Sequence, residues 1–185
     1  MPTVLTHAVA ALGISALFYR RGVPKGVWAL GAVCAALPDL DVLAFRFGIP
    51  YKDVLGHRGF SHSLAFAVLL AAALTAFFFR RGVKGMGPGT LWLYLFIVTA
   101  SHGLLDALTD GGLGVAFFAP FSNERFFFPF RPIEVSPLNP HRFLAGHGLD
   151  VLRSEILWVW MPMLLLAGVA LGWRGRRPGN AIDVP

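Results

Sequence analysis

Residues 64–79 form a sixteen-residue run in which Thr75 carries the only polar side chain. A segment apolar on every face must be covered all round, by protein or by lipid. It is one of five such runs, the others being residues 3–19, 27–37, 91–108 and 156–173. With 56% apolar and 14% charged residues among 185, the chain has too little polar surface to clothe that much hydrocarbon in water. Its mean hydropathy of +0.63 points the same way. The expectation is an all-α integral membrane protein: a polytopic helical bundle with about five transmembrane helices in a single domain spanning residues 1–185. Each span takes roughly 20 residues, which leaves no room for a separate soluble domain. Residues 111–150, rich in Phe and Pro, are expected to form a long outer loop lying on the bilayer surface, and residues 174–185 a cytoplasmic tail.

The second run reaches Pro38 after only 11 residues, too few at about 1.5 Å each to cross a core about 30 Å thick. Either the helix continues through Pro38 to Phe47, or it breaks and its polar end lines a cavity. An extended Asp39-Leu40-Asp41 would turn both carboxylates to one side, whereas an intact α-helix would separate them by about 200°. The sequence prefers the break if both aspartates serve one site. Ser61 is the expected N-cap of the third span, Gly111-Gly112 the end of the fourth, and Pro162 a kink in the fifth.

Charge sets the expected orientation. Nine of the sixteen Lys and Arg residues cluster at 20–25, 80–84 and 174–177, which fall on one side if all five runs cross. The positive-inside rule makes that side cytoplasmic and puts the N-terminus outside. Cations grouped beside apolar runs read as topology, so the formal charge of +6 does not imply a nucleic-acid partner. The lone Cys34 excludes an intrachain disulfide, a Cys-rich zinc module and a redox pair. The first run has neither a basic n-region before it nor a small-residue cleavage site after it, so it is expected to be retained.

With that orientation, His7, Asp39, Asp41, His57, His62, His102 and Asp106 all fall toward the outer face, although none of them entered the charge argument. His57 and His62 flank a glycine turn at the mouth of the third run. His102 and Asp106, four apart, share one helix face. An aspartate near hydrocarbon costs on the order of 2–3 kcal/mol unless it has a partner. Imidazoles and carboxylates without thiolates suit Zn²⁺, with Mn²⁺ or Fe²⁺ as alternatives, and seven donors exceed one tetrahedral ion, so two or three divalent ions are expected. His141 and His147 lack a partner at helical spacing and read as surface residues. Arg58, Arg125, Arg131 and Arg142 are solvated loop cations or phosphate clamps, and Arg58, between the two imidazoles, is the first choice for a clamp.

Taken together, Thr6-His7, Leu37-Pro38-Asp39-Leu40-Asp41, His57-Arg58-Gly59-Phe60-Ser61-His62-Ser63, His102-Gly103-Leu104-Leu105-Asp106 and Pro120-Phe121-Ser122 resemble the LexA-regulated, membrane-bound metal-dependent hydrolases of bacteria and archaea, the YdjM-type family, over about residues 3–160. That family is itself described as similar to zinc-dependent phospholipase C and P1 nucleases. The resemblance implies metal ligation by His7, one of the two aspartates, His57 or His62, and His102 with Asp106. Those soluble enzymes also use a late His-x-x-x-Glu; here Glu155 is present and Val151 stands in place of the histidine.

The sequence thus reads as a membrane hydrolase whose metal-activated water cleaves a phosphoester of a membrane lipid or lipid-linked substrate, with Asp41 as general base and Arg58 on the phosphate. The alternatives are a ceramidase-like amide or ester hydrolase and a non-enzymatic metal carrier or sensor. The oligomeric state is left open.

Overall fold

The computed structural model describes residues 1–137, 141 and 143–175. Among the described residues there are six α-helices: α1 (Val4–Phe18), α2 (Lys25–Ala36), α3 (Leu64–Phe78), α4 (Pro88–Ala107), α5 (Gly148–Glu155) and α6 (Met161–Gly175). Helix α2 runs straight into a 3-10 helix, Leu37–Phe47, and α5 joins α6 through a π-helical turn, Ile156–Trp160, so there are five helical bodies. Among the described residues no strand forms, only isolated bridges such as Thr109 with Ile133 and Val115 with Phe126.

The all-α expectation therefore holds, but three bodies, not five, are long and apolar enough to cross a membrane: Lys25–Phe47, Pro88–Ala107 and Gly148–Arg174. Val4–Phe18 and Leu64–Phe78 have 15 residues each. At 1.5 Å per residue they reach about 22 Å, short of a hydrocarbon core about 30 Å thick.

Small residues bring the helices together. Helix α1 packs on α2, α4 and α6, while α4 also receives α2 and α3. Ala10, Ala11, Ala35, Ala67 and Ala71 are buried at these contacts, whereas Leu69, Phe77, Phe78, Leu164, Leu165 and Val169 point outward. Small residues inside and large apolar ones outside is the pattern of helices that pack against each other and face lipid. Gly31 is the tightest point: a Cβ there would lie 1.9 Å from the Tyr94 hydroxyl, so only glycine lets α2 meet α4 at Tyr94.

The second body settles how Pro38 is accommodated. The chain does not break into extended backbone; it continues through Pro38 with tighter winding, and the Ala35 carbonyl three residues before the proline accepts a hydrogen bond from His102 Nδ1 in place of the missing Pro38 N–H. Ser63, not Ser61, caps α3, accepting a hydrogen bond from the Phe66 N–H at 3.1 Å. Helix α4 ends at Ala107, ahead of Gly111-Gly112. Helix α5 begins at Gly148, eight residues before the apolar run, directly after a π-helical turn over Phe143–His147; a second π turn lies immediately before Met161-Pro162, where an extra residue per turn accommodates the proline ring.

The expected outer loop is in part a folded cap. Val115, Ala116, Ala119 and Ile133 are fully buried or nearly so. The Ala116 N–H donates to the Arg58 carbonyl, Leu64 N–H to Phe117 and Phe128 N–H to Ala107, which ties residues 109–136 to the ends of α3 and α4. Residues 176–185, most of the expected tail, and Arg142 lie outside the described residues.

The bundle has two chemically distinct ends. Each of α1 to α4 has a His or Asp at or just beyond one end and a basic turn at the other. The basic turns meet: a Cβ on Gly22 would contact Lys84, one on Gly85 would contact Arg21 and Val23, and the Arg174 guanidinium donates to the Leu17 carbonyl.

Candidate metal centre

Four elements deliver the polar end. Thr3 caps α1 and leaves His7 one turn inside it, fully buried. On α4 the four-residue spacing puts His102 and Asp106 on the same inward face, both fully buried. Gly103 allows the His62 turn to lie against this face, because a Cβ there would sit 2.6 Å from the His62 carbonyl oxygen. At three residues per turn, the 3-10 helix separates Asp39 from Asp41 by about 120°, and the two carboxylates straddle His62. Asp39 Oδ1 lies 3.9 Å from His62 Nε2, and Asp41 Oδ2 lies 3.1 Å from His62 Nδ1.

Asp39, His62, His102 and Asp106 each present a ligand atom within 4.8 Å of the others. His62 Nε2 and His102 Nε2 are 2.9 Å apart. His102 Nε2 is 3.3 Å from Asp39 Oδ1, and His62 Nε2 is 3.4 Å from Asp106 Oδ2. His7 adjoins this group, its Nε2 at 3.6 Å from Asp106 Oδ1 and 3.9 Å from Asp39 Oδ2, its ring stacked on His102 with centroids 3.7 Å apart.

Outer contacts fix the imidazoles. The His102 Nδ1–H donates to the Ala35 carbonyl at 2.6 Å, which leaves Nε2 as the lone-pair atom facing the group. Asp41 does the same for His62 Nδ1. Asp41 also lies 2.6 Å from His57 Nδ1 and accepts from the Ser61 hydroxyl at 2.6 Å and the Arg58 N–H at 3.1 Å. Burial works against charge on His62, but hydrogen bonds to Asp106 and Asp41 and their negative charge prevail and raise its pKa to about 9.

The seven sequence candidates thus converge, but in two tiers. Asp39, His62, His102 and Asp106 surround one point, and His7 adjoins it through Asp39, Asp106 and the His102 ring. Asp41 and His57 lie beyond His62 and form with it a second group able to hold an ion. Arg58 does not face outward to clamp a phosphate. It is fully buried, with Nε 2.8 Å from Asp106 Oδ2 and its two terminal nitrogens donating to the Gly111 carbonyl and the Thr109 hydroxyl at 2.9 and 3.0 Å. Its backbone is left-handed, φ 62°, a strained conformation for a non-glycine residue, held by these contacts next to the site. Arg125 donates to the His57, Tyr51 and Asp53 carbonyls, and Arg131 lies over the Phe127 ring. His141 and His147 are exposed, the latter in a surface group with Glu134 and Asp150.

Glu155 is a role the motif comparison did not foresee. Its buried carboxylate accepts from the Thr3 N–H and from the Thr3 and Thr6 hydroxyls, both at 2.7 Å, and the Trp160 indole N–H donates to Thr6 Oγ1 at 2.7 Å. It anchors the start of α1 rather than contributing a ligand. The sequence signal was an acid directly before a long apolar run, a costly placement without partners.

A family model described as "YdjM inner membrane protein" matches residues 1–177. The chain belongs to this family. It is 44% identical over 176 residues to "Inner membrane protein YbcI" of Escherichia coli (strain K12), a match covering 95% of this chain and all of that protein. No solved structure matches it. The family places this chain among membrane proteins, in agreement with the outward-facing apolar helices; neither comparison extends to zinc-dependent phospholipase C or P1 nucleases.

The donor set can be tested against an ion without reference to the family. The nitrogens of His7 and both carboxylate oxygens of Asp39 are buried without a hydrogen-bond partner among the described residues, and Asp106 is met only by the Arg58 guanidinium and the His7 and His62 imidazoles. Leaving that many polar atoms unsatisfied would cost about 1–3 kcal/mol each. Two donors each about 2.1 Å from a shared ion lie about 3.0–3.4 Å apart at octahedral to tetrahedral angles. The His62–His102, His102–Asp39 and His62–Asp106 separations of 2.9, 3.3 and 3.4 Å match that spacing, while the His7 contacts and His62–Asp39, at 3.6–3.9 Å, are wider.

Proposed function

We propose that this YdjM-family protein is a membrane-bound metal-dependent hydrolase holding a divalent ion among His7, Asp39, His62, His102 and Asp106. The observation that carries the reading is the inward convergence of five buried side chains, among which the nitrogens of His7 and the carboxylate of Asp39 have no hydrogen-bond partner among the described residues. Three imidazoles with two carboxylates favour Zn²⁺ over hard oxygen-seeking ions. One ion is favoured over two or three. The second group shares His62, and a neutral imidazole has a single lone pair, already directed inward by the Asp41 contact at Nδ1.

A divalent ion here would supply Lewis acidity, making water nucleophilic near neutral pH and polarising a phosphoryl or acyl oxygen. The protein side of the chemistry is orientation and proton handling. Asp41 locks His62 and His57, and with both its oxygens engaged it acts as an orienting residue more readily than as a free general base. His57, held at Nδ1, keeps Nε2 to hold or pass a proton. Arg58 holds Asp106 in place and balances its charge.

By the positive-inside rule the basic end faces the cytoplasm and the metal centre the external side. Phe47, Leu55, Phe118, Phe121 and Phe130 are exposed on the segments around that end, and apolar side chains there suit a lipid or lipid-linked phosphoester. The test is a phosphatase and phospholipase panel on purified protein, with and without chelator. Chelator-sensitive phosphate release that returns on adding Zn²⁺ is expected. Fatty-acid release in its place would indicate an amide or ester hydrolase, and metal binding without turnover on any lipid phosphoester would contradict hydrolase function.

A further inference from the structure

At the opposite end of the bundle, the end of α3 and the start of α4 line an open groove of about 440 Å³ with Ala72, Thr75, Ala76, Arg80, Pro88, Gly89 and Trp92. Its size lies within the range of small-molecule sites, about 300–1,000 Å³. Three features give it a chemistry. Arg80, at its rim, has no hydrogen-bond or ion-pair partner among the described residues, although an exposed guanidinium offers five donors. The Thr75 hydroxyl is buried and lacks a hydrogen-bond partner, the cost of which is relieved if a ligand oxygen reaches it. The floor is alanine and indole, which accept hydrocarbon.

The surroundings are one-signed. The turns at 20–25 and 80–84 contribute Arg20, Arg21, Lys25, Arg81 and Lys84 beside Arg80, and neither turn contains an acid. A cation cluster at one end of a membrane bundle, next to a half-apolar groove, complements a molecule with an anionic head and an apolar tail.

We propose that this groove binds one anionic phospholipid, its phosphate on Arg80 and Thr75 and the start of an acyl chain on Ala72, Ala76 and Trp92. The occupant is a lipid and not a free anion because the apolar floor would be unused by phosphate alone. The site lies at the end of the bundle remote from the metal centre, and the proposal stands whether or not the hydrolase reading does.

The experiment is native mass spectrometry of the full chain in detergent, titrated with phosphatidylglycerol or phosphatidylcholine, with inorganic phosphate as a competitor. One phosphatidylglycerol should bind about tenfold more tightly than phosphatidylcholine, whose phosphate is the same but whose choline cation is repelled by Arg80 and the basic turns. Arg80→Gln should abolish this preference. Gly89→Leu should weaken both lipids, since Gly89 lines the groove and nothing lies within 4 Å of a Cβ there, so the side chain adds bulk at the groove without a clash at its Cβ. Lys25→Gln, in the other basic turn and outside the groove, should change the preference less than twofold, the difference between a formed contact and a diffuse surface charge. Both groove variants should retain their metal. Equal affinities for the two lipids, a preference that survives Arg80→Gln, an equal loss with Lys25→Gln, or full displacement by millimolar phosphate would each overturn the proposal. Because the two groove variants act by charge and by volume, failure of one to fold leaves the other decisive.

Discussion

Asp41 Oδ2 lies 3.1 Å from Nδ1 of His62, on the side of the imidazole away from the nitrogen that faces Asp106 and His102. A carboxylate behind a ligating histidine fixes its tautomer and rotation and raises its basicity. Asp41→Asn should therefore leave every inner donor in place yet weaken metal affinity by about 10–100-fold. Competition with a chromophoric chelator measures this. Unchanged affinity would remove Asp41 from any supporting role.

The same contact predicts a pH dependence. Despite burial, Asp106 and Asp41 raise the His62 pKa to about 9 from an ordinary 6.5. Ligation needs neutral Nε2, so metal binding must release this proton at lower pH. Apparent affinity should rise about tenfold per pH unit up to about 9 and then level off. Stability of the metal-free protein runs the other way: a raised pKa favours the folded form fully below pH 6.5, and that contribution is lost as pH rises through about 9. Chelator-treated protein should melt at a lower temperature at pH 9 than at pH 6.5. Affinity that is flat over this range would contradict a protonated His62.

Glu155 supports His7 from a distance. Its carboxylate accepts three hydrogen bonds from Thr3 and Thr6 and so anchors the first turn of the helix that carries His7. Glu155→Ala would strand those donors in a buried setting, at roughly 1–3 kcal/mol per group. The variant should melt markedly lower in detergent and bind metal more weakly, whereas Glu155→Gln, which keeps one acceptor oxygen, should recover part of both losses. A wild-type melting temperature for the alanine variant would rule out the anchor.

Much of this end of the molecule could be read from the residues in order. The apolar runs located α1, α3 and α4 to within a few residues, and the basic turns placed His7, Asp39, His62, His102 and Asp106 at the same end before any contact was known. What stayed hidden depends on local winding and on tertiary partners. Pro38 permitted either a break or a continued helix, and the 3-10 winding that results turns Asp39 and Asp41 about 120° apart, one on each nitrogen of His62. Helix α5 was missed because Asp150, Arg153 and Glu155 dilute its apolar face. Ser61 and Ser63 are equivalent as caps by composition; the Asp41 carboxylate takes the first and leaves the second for Phe66. Arg58 looked like an exposed clamp because its buried partners, Thr109 and Gly111, lie about fifty residues further along the chain.

The most direct test is the metal stoichiometry of the purified protein, after loading with Zn²⁺ and removal of excess, compared with His102→Ala and His62→Ala. The inner donor set predicts about one tightly held ion per chain in the wild type and almost none in either variant, because each substitution removes a nitrogen facing the shared point. A wild type that retains no ion, or variants that keep the full complement, would contradict a metal centre built on these residues.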